Sequence, residues 1–230
     1  MASKPDLIYK RLYLRFGPQH WWPGESPFEV IVGAILTQNT SWHNVEKTIN
    51  NLKQAGVLSP EKLYRIPVRR LACLIKPAGY FNLKTNRLKS FMGVLFGCYN
   101  GDLKNMFRCR TVRLRQVLLE INGIGPETAD SILLYAAARP VFVVDAYTRR
   151  IFLRLGLIKE GDSYGQIQNS LMGRLKRNTR VFNEYHALLV RLGKDVCTKD
   201  NPKCGICPLK CGHYPSGKGH PARRKSPAVA

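Results

Sequence analysis

Apolar residues recur at helical spacing along almost the whole chain, and strand-like alternation is nearly absent. Leu7-Ile8, Leu12-Tyr13 and Phe16 mark the face of a short amphipathic helix that Gly17-Pro18 stops. Residues 28–37 are apolar apart from Glu29 and Thr37 and predict a helix, followed by the polar turn Gln38-Asn39-Thr40. Ser41 is placed to cap the next helix, which runs to about Lys53. A basic helix is expected over 63–75, a break at 77–82 and a further helix over 84–99. Leu114, Leu118 and Ile121 share one face of another helix, which closes on Asn122-Gly123-Ile124-Gly125. Pro126 suits the first position of the helix after that turn. An apolar run, Val141-Phe142-Val143-Val144, ends abruptly at Asp145, where another helix begins; two more follow over 164–175 and 178–192. The expected fold class is all-α.

Charge narrows the partner. The 230 residues carry 37 Lys plus Arg against 15 Asp plus Glu, a formal net charge of +22. The last sixteen residues read as a disordered basic tail, and removing them still leaves +18. The partner such a surface fits is a polyanion, most economically DNA or RNA. An anionic membrane is the competing partner, but no long apolar span, lipidation motif or signal peptide is present, so the expectation is a soluble, intracellular protein with no membrane partner.

Several residue sets could carry chemistry. The Gly123-x-Gly125 turn lets the backbone bend and approach a ligand closely, and the helix after it aims free N–H groups outward, a seat for phosphate. Asp145 reads either as the cap of the following helix or as a working carboxylate, and both can hold at once. Trp21 and Trp22 sit side by side in a loop, as a packing plug or as walls of a flat pocket. Four of the seven cysteines, Cys197, Cys204, Cys207 and Cys211, form C-x6-C-x2-C-x3-C, a set that suits tetrahedral zinc or an iron–sulfur cluster. Cys73, Cys98 and Cys109 read as inert core thiols. His186, beside Phe182, Leu189 and Val190, reads as a packed histidine.

Gly123, Ile124, Gly125, Thr128 and Ala129, followed by Val144-Asp145, resemble the signature of the helix-hairpin-helix DNA glycosylases of the endonuclease III superfamily. The resemblance covers roughly residues 21–214. It implies two helical subdomains, 22–138 as a helical barrel with the hairpin and 1–21 plus 139–214 carrying a cluster loop at 197–211. The tail at 215–230 lies beyond them, and DNA and a base pocket are expected in the cleft between the two. It implies a [4Fe–4S] cluster rather than zinc, on Cys197, Cys204, Cys207 and Cys211. The last of these comes two residues early, with His213 in the usual place. It implies that Gln38 fills the gap left by a flipped nucleotide, that Tyr80 wedges beside it, and that the hairpin residues Gly123, Gly125, Glu127 and Thr128 face DNA.

Bifunctional members carry a lysine where this chain has Glu127, so the resemblance implies a glycosylase without lyase activity. Adenine-mismatch members carry a glutamate where this chain has Gly33, which disfavours that branch. The full set WWPxxxxFE, LTQNT plus an aromatic, PAGYFNxK and GIGxExAD is similar to the bacterial 3-methyladenine glycosylases of endonuclease III type. In those, the aromatics matching Trp21, Trp22 and Trp42 line the base pocket, and the matching aspartate is catalytic. They use other interactions where this chain has its four cysteines, which leaves a pyrimidine or G·T/G·U mismatch glycosylase as the alternative. A DNA-binding module without catalysis is the more distant one. The expected partner is double-stranded DNA with damaged bases, met by a monomer in the cytoplasm at the nucleoid.

Overall fold

The computed structural model describes residues 4–21 and 24–209, and every regular element among them is helical, with no strand. The all-α expectation holds. Trp22, Cys211, His213 and the tail lie outside the described residues. The chain divides into two compact units, Trp22–Val143 and a second made of Met1–Trp21 with Val144–Ala230.

Helix α1 (Lys4–Phe16) opens the chain and belongs to the second unit. The first unit is built around α2 (Pro27–Leu36), in which every residue after Pro27 is buried. That explains its apolar run, interrupted at Glu29, which pairs with Lys53: a helix packed on all sides has no polar stripe. Ser26 caps it, its hydroxyl accepting from Glu29 N at 3.2 Å. The cap expected at Ser41 is present, its hydroxyl accepting from Asn44 N at the start of α3 (Trp42–Gln54).

The single basic helix expected over 63–75 is instead two, α4 (Pro60–Arg65) and α5 (Val68–Leu74). Pro67 is the cause: it lacks an N–H and forces Ile66 out of the helical region, to φ −58 ψ 135. Helix α6 (Phe81–Tyr99) starts earlier than the sequence pattern suggests, and α7 (Leu103–Phe107) follows it. The hairpin is α8 (Thr111–Glu120), the turn 121–125 and α9 (Pro126–Ser131), which continues as a π-helical turn over Ile132–Ala136. Ile31, Ile35, Leu88, Phe91, Leu118 and Ile132 meet in one fully buried core.

The second unit packs α1 and α10 (Ala146–Arg154) against α12 (Thr179–Asp195), with α11 (Tyr164–Met172) between them in sequence. Tyr185 of α12 is its hub: the hydroxyl donates to Pro5 O at 3.0 Å, and the ring lies 5.4 Å from that of Tyr9 and 6.5 Å from that of Phe152. Contrary to expectation, Cys73 and Cys98 are exposed and Cys109 is half-buried. Helices α5 and α6 turn Cys73 and Cys98 outward, a choice that residue type alone does not reveal.

Candidate functional site

In the first unit the hairpin, the turn after α2 and the turn before α6 are tied together by side chains. Gly123 has φ +86, a backbone that favours glycine, and a methyl group there would collide with the Arg87 side chain. Gly125 differs: its φ of −88 suits any residue, and nothing lies within 4 Å of where its Cβ would be. Open space at that point leaves room for a close ligand. Arg115 of α8 clamps the fully buried Asp130 of α9 through two hydrogen bonds, 2.7 and 3.0 Å, which locks the two arms of the hairpin. Thr128 is buried, whereas Glu127 is exposed at the mouth of α9.

Gln38 reaches the same hairpin. Its amide Nε2 donates to Gly123 O at 3.0 Å and to Thr128 Oγ1 at 2.9 Å, while its Oε1 accepts from Arg87 Nη1. Neighbouring Asn39 has φ 53, a left-handed backbone in a non-glycine residue. Tyr80 is similarly constrained, with φ 45 ψ 36, and its side chain is 68% exposed. A bulky aromatic held in the left-handed region and turned to solvent is a costly arrangement, of the sort that persists where a ligand is met. The alternative, in which Tyr80 packs on the following helix, does not fit that exposure.

Lys84 underlies both turns. It is fully buried, and its Nζ donates to Leu36 O at 2.8 Å and to Ala78 O at 2.7 Å, the last residues before the Gln38 and Tyr80 turns. Burial, helped by the charge of Arg87, pushes its pKa down to about 8.

Trp42 donates its indole N–H to Glu46 Oε1 at 2.7 Å. With Glu29, Gly33, Ile49 and Lys53 it lines a half-open cavity of about 280 Å³. Lys53 bridges Glu25 and Glu29 at 2.8 and 3.0 Å on its rim.

Asp145 lies in the second unit at the start of α10. Its Oδ1 accepts from Thr148 N at 2.7 Å, so the capping role is present. The other oxygen is not left open, as the cap-plus-catalyst reading supposes: Oδ2 sits 3.5 Å from His186 Nε2, and the side chain is only 12% exposed. Burial pushes the carboxyl up, but the charge of His186 and the hydrogen bond from Thr148 outweigh it, leaving the group below the usual carboxylate range. His186 is therefore more than a packed side chain. No local signal marks it, because its partner lies on another helix. In the same unit Trp21 has Lys194 Nζ 5.7 Å from its ring, and its loop is pinned by Gln19 N donating to Glu184 Oε1 at 2.7 Å.

Cys197, Cys204 and Cys207 line one cavity beside α12, with Arg154 and Lys203. Arg154 Nη1 donates to Cys197 Sγ at 3.3 Å, and the same guanidinium holds Thr198 O and Lys199 O. A cationic donor on sulfur suits a thiolate. Among the described residues, no three of His, Cys, Asp or Glu converge on a position that one metal ion could take.

Comparison with known proteins gives a consistent result. The family described as HhH-GPD superfamily base excision DNA repair protein matches residues 32–177. A Methanocaldococcus jannaschii protein named "Putative DNA repair glycosylase" is 48% identical over 88% of this chain and 92% of its own length. An endonuclease III from Rickettsia conorii is 27% identical over 92% of this chain and 89% of its own. Among solved structures, the H. pylori 3-methyladenine DNA glycosylase bound to 1,N6-ethenoadenine is 30% identical, with a TM-score of 0.72. It covers 84% of this chain and 98% of that one.

Proposed function

The chain is a DNA glycosylase of the HhH-GPD superfamily of base excision DNA repair proteins, and from that premise we propose that it is monofunctional and releases alkylated purines of the 3-methyladenine type. The observation that carries this reading is Asp145, an ionised carboxylate held at a helix start by Thr148 and His186. As an N-glycosidic bond breaks, its electron pair leaves with the base and positive charge develops on the sugar. A carboxylate under that sugar stabilises the charge. Because the group is held below its ordinary pKa, it is a weak base. Its work is electrostatic, and water adds to C1′ and sheds its proton once the base has begun to depart.

Support for the lesion class comes from what stands near the hairpin. Glu127 offers no amine for a Schiff base, and Gly33 supplies no acid to protonate a departing base. A purine that already carries positive charge from alkylation leaves as a neutral molecule without such an acid. Its electron-poor ring also suits aromatic walls, with Trp42 beside a cavity and Trp21 and Trp22 as the remaining candidates. Because Lys194 covers one face of Trp21, a base would take the other face. Gln38, Tyr80 and the hairpin residues Gly123, Gly125, Glu127 and Thr128 form the DNA-facing set in this reading, on double-stranded DNA met by a monomer.

Cys197, Cys204, Cys207 and Cys211 would hold a [4Fe–4S] cluster. Three thiols ringing one cavity, with Arg154 on a sulfur, fit that group. When bound it would supply a rigid tie for the basic loop carrying Lys199 and Lys203, and hydrolysis needs no electron from it. These cysteines also favour a second reading, a pyrimidine or G·T/G·U mismatch glycosylase, since the sequence set similar to 3-methyladenine enzymes goes with other interactions there.

The test is chromatography of bases freed from methylated DNA. Free 3-methyladenine is expected, with the strand intact until alkali treatment and no adduct trapped by borohydride. Asp145→Asn, which keeps the cap, should slow release on the order of 10²–10³-fold. Release of thymine or uracil from mismatched duplex instead would establish the second reading, and a trapped adduct would overturn the monofunctional assignment.

A further inference from the structure

We propose that Arg87 is a positioning residue: it docks the Gln38 amide on the hairpin and so sets the pose in which Gln38 meets DNA. This inference rests on the glycosylase reading for Gln38, not on the identity of the excised base.

The argument starts from the amide's valences. A glutamine side chain has two N–H donors and one carbonyl oxygen with two lone pairs. Both donors of Gln38 are spent on the hairpin, on Gly123 O and Thr128 Oγ1, and one lone pair is spent on Arg87 Nη1. What remains for DNA is a single acceptor lone pair, with the orientation of the amide fixed. Without Arg87 the oxygen would lose that anchor, and the amide would be held from its nitrogen side alone, by Gly123 O and Thr128 Oγ1.

Three features of Arg87 point to this role rather than to simple packing. Its Cγ, Cδ and Nε lie where a Cβ on Gly123 would be, so the glycine of the hairpin is what lets the side chain reach Gln38. Its Nε is buried with no hydrogen-bond partner, a deficit that costs stability. A guanidinium is an expensive way to cover a glycine unless its Nη1 contact matters. Finally, Arg87 stands one helical turn from buried Lys84, a like-charge neighbour that lowers the Lys84 pKa. The two cations together span the turn of Gln38, the turn of Tyr80 and the hairpin, Lys84 holding the bases of the turns and Arg87 the tip of one of them.

The fixed pose also has a chemical preference. An acceptor presented to an orphaned base can take the ring N–H of thymine or guanine, or the exocyclic amine of adenine or cytosine, and it offers no donor in return.

The test uses the full-length protein and a duplex carrying a tetrahydrofuran abasic-site analogue, which binds whether or not any particular base is excised. Arg87→Met keeps the aliphatic cover over Gly123 and removes the donor. It should raise Kd about tenfold. In the Gln38→Ala background, Arg87→Met should add nothing. Multiplying losses would mean that Arg87 acts on DNA directly, and an unchanged Kd would mean that it only packs; either overturns the proposal. Thermal melting checks folding. If Arg87→Met does not fold, Arg87→Lys, which keeps cation and stem but shortens the reach, provides the same double-mutant comparison.

Discussion

Asp145 stays ionised against its own burial because His186 and the Thr148 N–H sit against its two oxygens. With a folded pKa below the ordinary 3.8, it contributes stability that is present above that value and lost as pH falls through the folded one. His186→Asn removes the charge that opposes burial, so the carboxyl should rise. The acid limb of base release then moves to higher pH, which a single-turnover pH profile measures. An unmoved limb would assign the depression to Thr148 alone. At this scale the sequence was partly legible. Asp145, Gln38, Tyr80 and the hairpin glycines stand in local motifs, so each could be picked out from neighbours. His186 and Arg87 could not, because a histidine on an apolar face and an arginine on a helix acquire meaning only from partners far along the chain.

At the scale of elements, Lys84 makes α6 the beam that carries both turns. Its ammonium satisfies the buried carbonyls of Leu36 and Ala78, so Lys84→Met strands two acceptors and should cost about 3 kcal/mol. The neutral amine keeps two N–H donors, so losing the proton need not break either bond. With the folded pKa near 8 against 10.5 unfolded, the unfolded chain binds more protons between those values. Stability from this group therefore rises as pH climbs through that window and falls as pH drops from 10.5 toward 8, the loss being complete below about 8. Thermal melts at pH 7 and 9.5 should show that rise in the parent and not in Lys84→Met. Helical periodicity located α2, α3 and α12 well because one face, or every face, is buried. It ran α4 and α5 together because their spacing continues across Pro67, and only the missing N–H there reveals the break.

For the whole molecule, the +22 charge is the dominant long-range fact. Among the described residues no helix is long and apolar enough to cross a membrane. If about six phosphates are neutralised, log K should fall with log salt at a slope of about −5, roughly 10³ in affinity between 50 and 200 mM. A slope near zero in a duplex titration would remove DNA as the partner. Fold class, partner and family signature were readable because they are distributed over many residues. The reach of Gln38 to the hairpin was not, since it depends on how separate stretches pack.

The left-handed backbone at Tyr80 has a practical outcome. Any programme of thermal hardening that scans for uncomfortable torsions would choose that position early and install glycine, gaining about 1 kcal/mol. The hardened enzyme would have traded its projecting ring for comfort, and a screen that scored only heat tolerance would count the loss as an improvement.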